Sequence, residues 1–572
     1  MSDVVSAGDF TSLWCDIILE ELYRNGVQHI CLAPGSRSAP FALALSRHQQ
    51  LTTHTHYDER GLGFYALGLA RATGAPVVII TTSGTAVANL YPALLEAKES
   101  AIPLMVLSAD RPPELLGCAA NQTLEQPGIY ASCPAFSVNL PCPEPSLPAR
   151  WLLSVIDEAV AVMNRPDAGP VHINQALRDP LYGSDTPADW SSWLEPVAEW
   201  RGSHNPLCLW DRSAGTCPSL PDISGPVVLV VGQLSQQESR AVAELADNIG
   251  WLLLADIQSG LQGHARALSC VDLTLANPEI LARLNQTELV IQCGRRPISK
   301  RLGQWLGKGG REHWYIDSRQ DRHDPVFSVT RRVSCSIKDF CQATAGKVSL
   351  SPENRAWSDN LLLQSRTLVE TIKAEKLPDN QLTEIWAAEQ LKQSLTTEAL
   401  FIGNSMPVRY LDSLSSSWTD ARIIANRGAS GIDGLIASAA GHAASGQRTV
   451  LLIGDLSFLH DLNSLNLAAQ HGLVIVLLNN SGGTIFNMFP VSRDDNTLSR
   501  YFRIEHSLQG VGAATMFGLN YRAPETCEDF QASLSEALAS PEGALIEVCT
   551  PPDQGTDQFK SLVHAARDYS VC

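Results

Sequence analysis

Thr449-Val450-Leu451-Leu452-Ile453-Gly454-Asp455-Leu456 and Leu473-Val474-Ile475-Val476-Leu477-Leu478-Asn479-Asn480-Ser481-Gly482-Gly483 decide how this chain folds. Each is an apolar run of strand length that ends abruptly in a side-chain oxygen. Runs of this kind read as parallel strands buried on both faces. The amphipathic stretch Asn463 to His471 would cross over between them, so Asp455 and Asn480 should leave neighbouring strand ends. One Asp, one Asn and a carbonyl at Gly482 are a donor set for magnesium (or manganese), which takes few protein carboxylates and keeps positions for phosphate oxygens. The glycines would let backbone approach a diphosphate closely. Alone, an Asp after a strand is equally a helix cap, and Asn-Asn-Ser-Gly-Gly equally a turn.

At 572 residues the chain exceeds one core and suggests about three or four domains. A hydrophobic content of 44% with 18% charged residues describes a packed globular protein. The formal net charge of −18 argues against nucleic acid or an anionic membrane surface as partner, so any anionic ligand must be met by a local group of cations. The 14 cysteines form no C-x-x-C pair, and several lie in apolar strand-like runs, as Cys31 and Cys293 do. A reduced, cytoplasmic setting is expected. The opening MSDVVSAGDFTSLWCD has no basic stretch leading into an apolar block, and no apolar run reaches the ~20 residues that span a bilayer.

The expected class is α/β, with three doubly wound units and mainly parallel sheets. Residues 1–185 alternate HICLAP, a helix from Arg60, VVIITTSG, a helix from Thr85 and PLMVLSADRP. Residues 186–226, rich in Trp, Pro and Ser without periodicity, read as a surface linker. Residues 227–348 carry VVLVVGQ, a helix from Gln236, WLLLADIQSG, LVIQCGRRP and HWYIDSR. Residues 349–572 carry ALFIGNS, RIIANRG, a helix from Asp433 to Ser445 and the two opening strands, then ALIEVC.

The pairing of Gly-Asp-x with a later Asn-Asn resembles the diphosphate signature of thiamine diphosphate enzymes, here with a separation of 25 residues (480 − 455) and Leu456 in the third position. APGSRSAP (33–40), YDERGLG (57–63), TSGTA (82–86), SADRPPEL (108–115), Asn121-Gln122-Thr123, GNSMPVR (403–409) and NRGASGIDG (426–434) narrow this to a resemblance to the MenD family of the menaquinone pathway. That resemblance implies a pyrimidine-binding domain at 1–185, a central domain at 227–348 and a diphosphate-binding domain at 349–572. It implies thiamine diphosphate with magnesium (or manganese), decarboxylation of 2-oxoglutarate and 1,4-addition of the remaining four carbons to isochorismate. It further implies a homodimer or homotetramer whose active site draws on two subunits.

Residue by residue, the resemblance makes Glu59 the catalytic acid at the pyrimidine ring, although an acid in a first helical turn is otherwise an ordinary dipole partner. Asp455, Asn480 and Gly482 would hold the metal; Ser405, Met406, Ile432, Leu456 and Ser457 would border the cofactor. Ser36, Arg37, Arg111, Gln122, Lys300, Arg409 and Arg427 are the candidates for two dicarboxylate substrates, since an Arg fork orients a carboxylate as well as attracting it. Each Arg is otherwise a surface ion pair. Ile485 and Phe486 would wall the reacting carbon from water. His54 and His56, alternating on a strand-like approach, are expected to pack and hydrogen-bond rather than to bind metal. Two rival readings stay open: an acetolactate synthase-like enzyme of 2-oxo acids, and a catalytically silent relative that kept the fold.

Overall fold

Short runs of Val, Ile and Leu become strands because β-branched and aliphatic side chains fill both faces of a covered sheet. In the computed structural model, which describes residues 9–571 apart from 167–168, 183–187, 211–216, 219, 221–223, 320–321, 349, 379, 418 and 420, these runs form three all-parallel sheets. The first holds β1 (His29–Leu32), β2 (Thr52–Thr55), β3 (Val77–Thr81), β4 (Leu104–Asp110), β5 (Phe136–Leu140) and β6 (Val171–Ala176), in the order β2-β1-β3-β4-β6-β5. The second holds β7 (Val227–Val231), β8 (Leu252–Ala255), β9 (Leu289–Cys293), β10 (Glu312–Ile316) and β11 (Arg331–Val333), in the order β11-β10-β9-β7-β8. The third holds β12 (Ala399–Ile402), β13 (Arg422–Ile424), β14 (Thr449–Gly454), β15 (Val474–Asn479), β16 (Asn520–Arg522) and β17 (Ala544–Cys549), in the order β13-β12-β14-β15-β17-β16. The α/β class with three parallel sheets is as the sequence suggested.

The chain divides into two compact units. One comprises Met1–Arg212, Asn426–Gln447 and His460–His471; the other comprises Ser213–Ala425, Arg448–Leu459 and Gly472–Cys572. In the first unit an apolar core from Phe10, Leu13 and Trp14 through Ile156 and Ile173 covers the first sheet. Part of the stretch expected as a linker belongs to this core: helices Ser191–Leu194 and Ala198–Gly202, with the 3-10 turn Glu195–Val197 between them, bury Leu194, Val197 and Trp200 against it. The signal lay in the tryptophans, which carry enough apolar area to dock irregular chain. Residues 186–187, 211–216, 219 and 221–223 of that stretch lie outside the described residues. In the second unit one core joins strands and helices of the second and third sheets, from Leu252 and Trp305 to Leu400 and Phe559. Among the described residues no helix is long and apolar enough to cross a membrane.

Within the first unit, helix Glu59–Thr73 lies against helix Leu435–Ala443, which is shorter at both ends than the expected 433–445. Gly68 and Gly441 make this seam: a Cβ on Gly68 would stand 1.9 Å from the Ser438 carbonyl oxygen, and one on Gly441 2.0 Å from that of Tyr65. Backbone cannot yield as a side-chain tip does. Gly68→Ala should therefore cost about 2–3 kcal/mol through forced separation of the helices, read as a lower midpoint in thermal melts; an unchanged midpoint would contradict this packing.

Candidate active site

Register decides where the opening strings end. β14 and β15 pair in parallel with Gly454 opposite Leu478, so the next residues, Asp455 and Asn479-Asn480, emerge side by side. Asp455 opens the helix Asp455–His460 and is 4% exposed; Asn480 is 8% exposed. The crossover is helical as expected, though broken into Leu462–Ser464 and Leu465–Gln470. The backbone N–H groups of Leu456 and Gly482 donate to Asp455 Oδ1 and Oδ2 at 2.7 and 2.8 Å, and His506 Nε2 stands 3.4 Å from Oδ2. Burial pushes the Asp455 carboxyl above the usual range, opposed by those donors. Gly482 has φ of 150°, and a Cβ there would meet the Arg503 carbonyl oxygen at 2.7 Å, so only glycine fits. Its own carbonyl accepts from Thr484 N at 3.0 Å, which leaves one lone pair.

Asn480 supplies the test of whether a cation suits this place. Its Nδ2 donates to Glu384 Oε1 at 2.5 Å and to Thr484 Oγ1 at 2.9 Å, while its buried Oδ1 has no partner among the described residues. An orphaned buried acceptor beside a buried carboxylate is costly unless something positive sits between them. The donor set of one carboxylate, one amide oxygen and one backbone carbonyl leaves coordination positions for diphosphate oxygens, so the residues present fit a magnesium diphosphate. Glu384, buried at the start of helix Glu384–Ser394, escaped the sequence reading. No local pattern distinguishes it from an exposed helix-start acid, yet it is 1% exposed and burial holds its carboxyl above the usual range.

Leu456 is half-buried, and Ser457 and Met406 are both buried. Ser405, at φ 71°, precedes helix Met406–Leu414, and Arg409 Nη1 donates to its carbonyl at 2.5 Å. Ile485 and Phe486 lie in a 3-10 turn, with Phe486 packed 5.2 Å from Phe502 and 6.2 Å from Phe489 between ring centroids. Lys300 is exposed at the start of helix Lys300–Leu306. It lines a cavity of about 170 Å³ with Arg296, His313 and His323, whose wall includes none of Asp455, Asn480 or Gly482.

The first unit carries the other candidates. Asp58 caps helix Glu59–Thr73, its Oδ1 accepting from Arg60 N and Gly61 N at 3.0 and 3.3 Å. Glu59 is thereby released from capping: half-buried, its carboxylate has no partner among the described residues. Arg37 is 3% exposed, with Nη1 donating to the Leu177 carbonyl at 2.9 Å and lying 3.4 Å from Asp179 Oδ2. Arg111 donates to the Asn121 carbonyl at 2.9 Å; Ser36 and Gln122 are exposed. Ser36, Arg37 and Arg111 follow the carboxyl ends of β1 and β4, and Gln122 is held beside the end of β3, where Ser83 Oγ donates to its carbonyl at 2.9 Å. Arg427 and Ile432 sit in a loop that Glu96 secures, accepting from Gly428 N and Ala429 N at 2.9 and 2.6 Å; Ile432 is 39% exposed. Glu96, in the middle of helix Tyr91–Ser100, also escaped the sequence reading, since only partners distant in the chain mark it. His54 is hydrogen-bonded as expected, to His29 at 3.2 Å and to Tyr65 at 2.8 Å, while His56 is 2% exposed.

Residues 15–129 match the family described as thiamine pyrophosphate enzyme, N-terminal TPP binding domain. Residues 191–402 match the middle domain of thiamine pyrophosphate enzymes, and residues 416–548 the C-terminal TPP binding domain. The chain belongs to the thiamine diphosphate enzymes. Three relatives, from Aeromonas salmonicida, Shewanella loihica and Shewanella sediminis, are 42%, 43% and 41% identical to it. The matches cover 98%, 98% and 96% of this chain and 98%, 98% and 97% of the relatives, each of which is a 2-succinyl-5-enolpyruvyl-6-hydroxy-3-cyclohexene-1-carboxylate synthase. Within its class, the chain is a member of that synthase family.

Proposed function

We propose that this protein decarboxylates 2-oxoglutarate and adds the remaining four-carbon unit to isochorismate by 1,4-addition, forming 2-succinyl-5-enolpyruvyl-6-hydroxy-3-cyclohexene-1-carboxylate for menaquinone or phylloquinone synthesis. The reading is carried by likeness to that synthase family over 98% of the chain, together with the buried Asn480 Oδ1 near Asp455, which has no partner among the described residues. Thiamine diphosphate, when bound, supplies the electron sink that makes loss of carbon dioxide and carbon–carbon bond formation possible. Asp455, Asn480 and the Gly482 carbonyl hold its magnesium (or manganese), and Ser405, Met406, Leu456, Ser457 and Ile432 border it. Glu59 would hold a proton at the pyrimidine ring of the bound cofactor. Arg37, Arg111, Arg409 and Arg427, with Ser36, Gln122 and Lys300, answer the carboxylates of both substrates against the −18 charge of the chain. Ile485 and Phe486 exclude water from the reacting carbon. The protein works as a homodimer or homotetramer, with Glu59 of one subunit and Asp455 of another serving one cofactor.

The test is incubation with 2-oxoglutarate, isochorismate, thiamine diphosphate and magnesium, followed by mass spectrometry. The expected product retains the isochorismate ring plus four donor carbons. Consumption of pyruvate in preference to 2-oxoglutarate, or no adduct at all, would reject the assignment.

A further inference from the structure

A side-chain amide is an ambiguous metal ligand. It presents oxygen on one side and nitrogen on the other, and a half-turn about its last bond exchanges them. Only the oxygen serves a cation. Around Asn480 one neighbour does not discriminate, because the Thr484 hydroxyl, 2.9 Å from Nδ2, can donate or accept. The Glu384 carboxylate does discriminate. Its Oε1 accepts from Asn480 Nδ2 at 2.5 Å and from Thr550 Oγ1 at 3.3 Å, and its Oε2 accepts from Tyr410 Oη at 2.5 Å. A turned amide would press Oδ1 against that carboxylate oxygen.

The surroundings are built for this contact. Thr383 caps the helix that starts at Glu384, accepting from Trp386 N at 3.1 Å. Tyr410, fully buried, comes from helix Met406–Leu414, whose first turn carries the cofactor candidate Met406. Gly555 clears the remaining space: a Cβ there would lie 2.1 Å from Glu384 Oε2 and 2.3 Å from Tyr410 Oη.

We propose that Glu384 is a positioning residue of the cation site, which locks the Asn480 amide so that Oδ1 faces the metal and which Tyr410 and Thr550 hold in turn. This rests on the reading of Asp455, Asn480 and Gly482 as metal ligands. The experiment titrates Mn²⁺ into the full-length protein with thiamine diphosphate, following tryptophan fluorescence, for wild type, Glu384→Leu, Glu384→Gln, Tyr410→Phe and Asp455→Ala. Loss of a partner behind a metal ligand typically weakens binding about 10–100-fold, and that rise in half-saturating Mn²⁺ is expected for Glu384→Leu. Glu384→Gln keeps an oxygen that accepts from Asn480 and should recover most of the affinity. Tyr410→Phe, which removes one hydrogen bond from the carboxylate, should raise the half-saturation about 3–10-fold. A merely structural role would lower the thermal midpoint while leaving half-saturation of the folded protein unchanged. The proposal is overturned if Glu384→Leu and Tyr410→Phe both bind Mn²⁺ within about twofold of wild type while Asp455→Ala does not. Should Glu384→Leu fail to fold, wild-type titration of Tyr410→Phe overturns it alone. Wild-type titration of Asp455→Ala would instead sink the metal-site reading, and this proposal with it.

Discussion

Glu59→Gln is expected to keep thiamine diphosphate affinity near that of wild type and to lower turnover about 10²–10⁴-fold, the usual worth of a positioned proton-transfer group. The helix has no need of this acid. Asp58 caps it through Arg60 N and Gly61 N, and is steadied from the other side by Asn463 Nδ2 at 3.0 Å. The amide has the size of the carboxyl, so fold and cofactor contact survive while the shared proton is lost. Cofactor titration by fluorescence and steady-state turnover separate the two effects. Turnover at the wild-type level would remove Glu59 from the mechanism; loss of binding would make it a cofactor anchor instead.

Asp455→Ala should weaken magnesium-dependent cofactor binding roughly a hundred- to several-thousandfold, because losing one member of a buried charge pair costs about 3–5 kcal/mol. Without a cation this carboxyl is buried and uphill in its charged form, eased by the backbone N–H groups of Leu456, Gly482 and Asn480 and by His506. A bound cation would therefore be its principal counter-charge. Calorimetric titration of thiamine diphosphate with and without magnesium measures the loss, and equal affinities in both conditions would refute the assignment. The same two variants test the assembly: mixed Glu59→Gln and Asp455→Ala chains should regain about a quarter of wild-type turnover through hybrid dimers with one intact site. No recovery would put both groups to work within a single subunit.

Much of the architecture was readable because central parallel strands are nearly continuous apolar runs. HICL, VVIIT, LMVLSAD, VVLVV, TVLLIG and VIVLLN each became a strand where expected. The strands that escaped notice are mostly at sheet edges. β5 alternates in burial, β11 spans Arg331–Val333, and β16 spans Asn520–Arg522 with two exposed residues of three. Such segments have half a hydrophobic signature or none, and they are strands only because a neighbour offers them a ladder. The same divide separates the candidate residues. Asp455 and Asn480 are marked by what precedes them, apolar run then polar end. Glu384 and Glu96 are marked only by partners distant in the chain, Asn480 and Gly428 among them. Arg37 reads as a carboxylate fork in sequence, but one arm of its guanidinium is spent on the Leu177 carbonyl.

Because β14 and β15 lie side by side with Gly454 across from Leu478, lateral pairing sets the reach between the two halves of the clamp, and the interval of 25 residues along the chain does not. A lineage can therefore trim or extend the crossing segment without retuning the chemistry at its ends. Searches for kindred proteins that insist on one fixed interval will pass over members whose geometry is intact; matching adjacent strand termini would retrieve them.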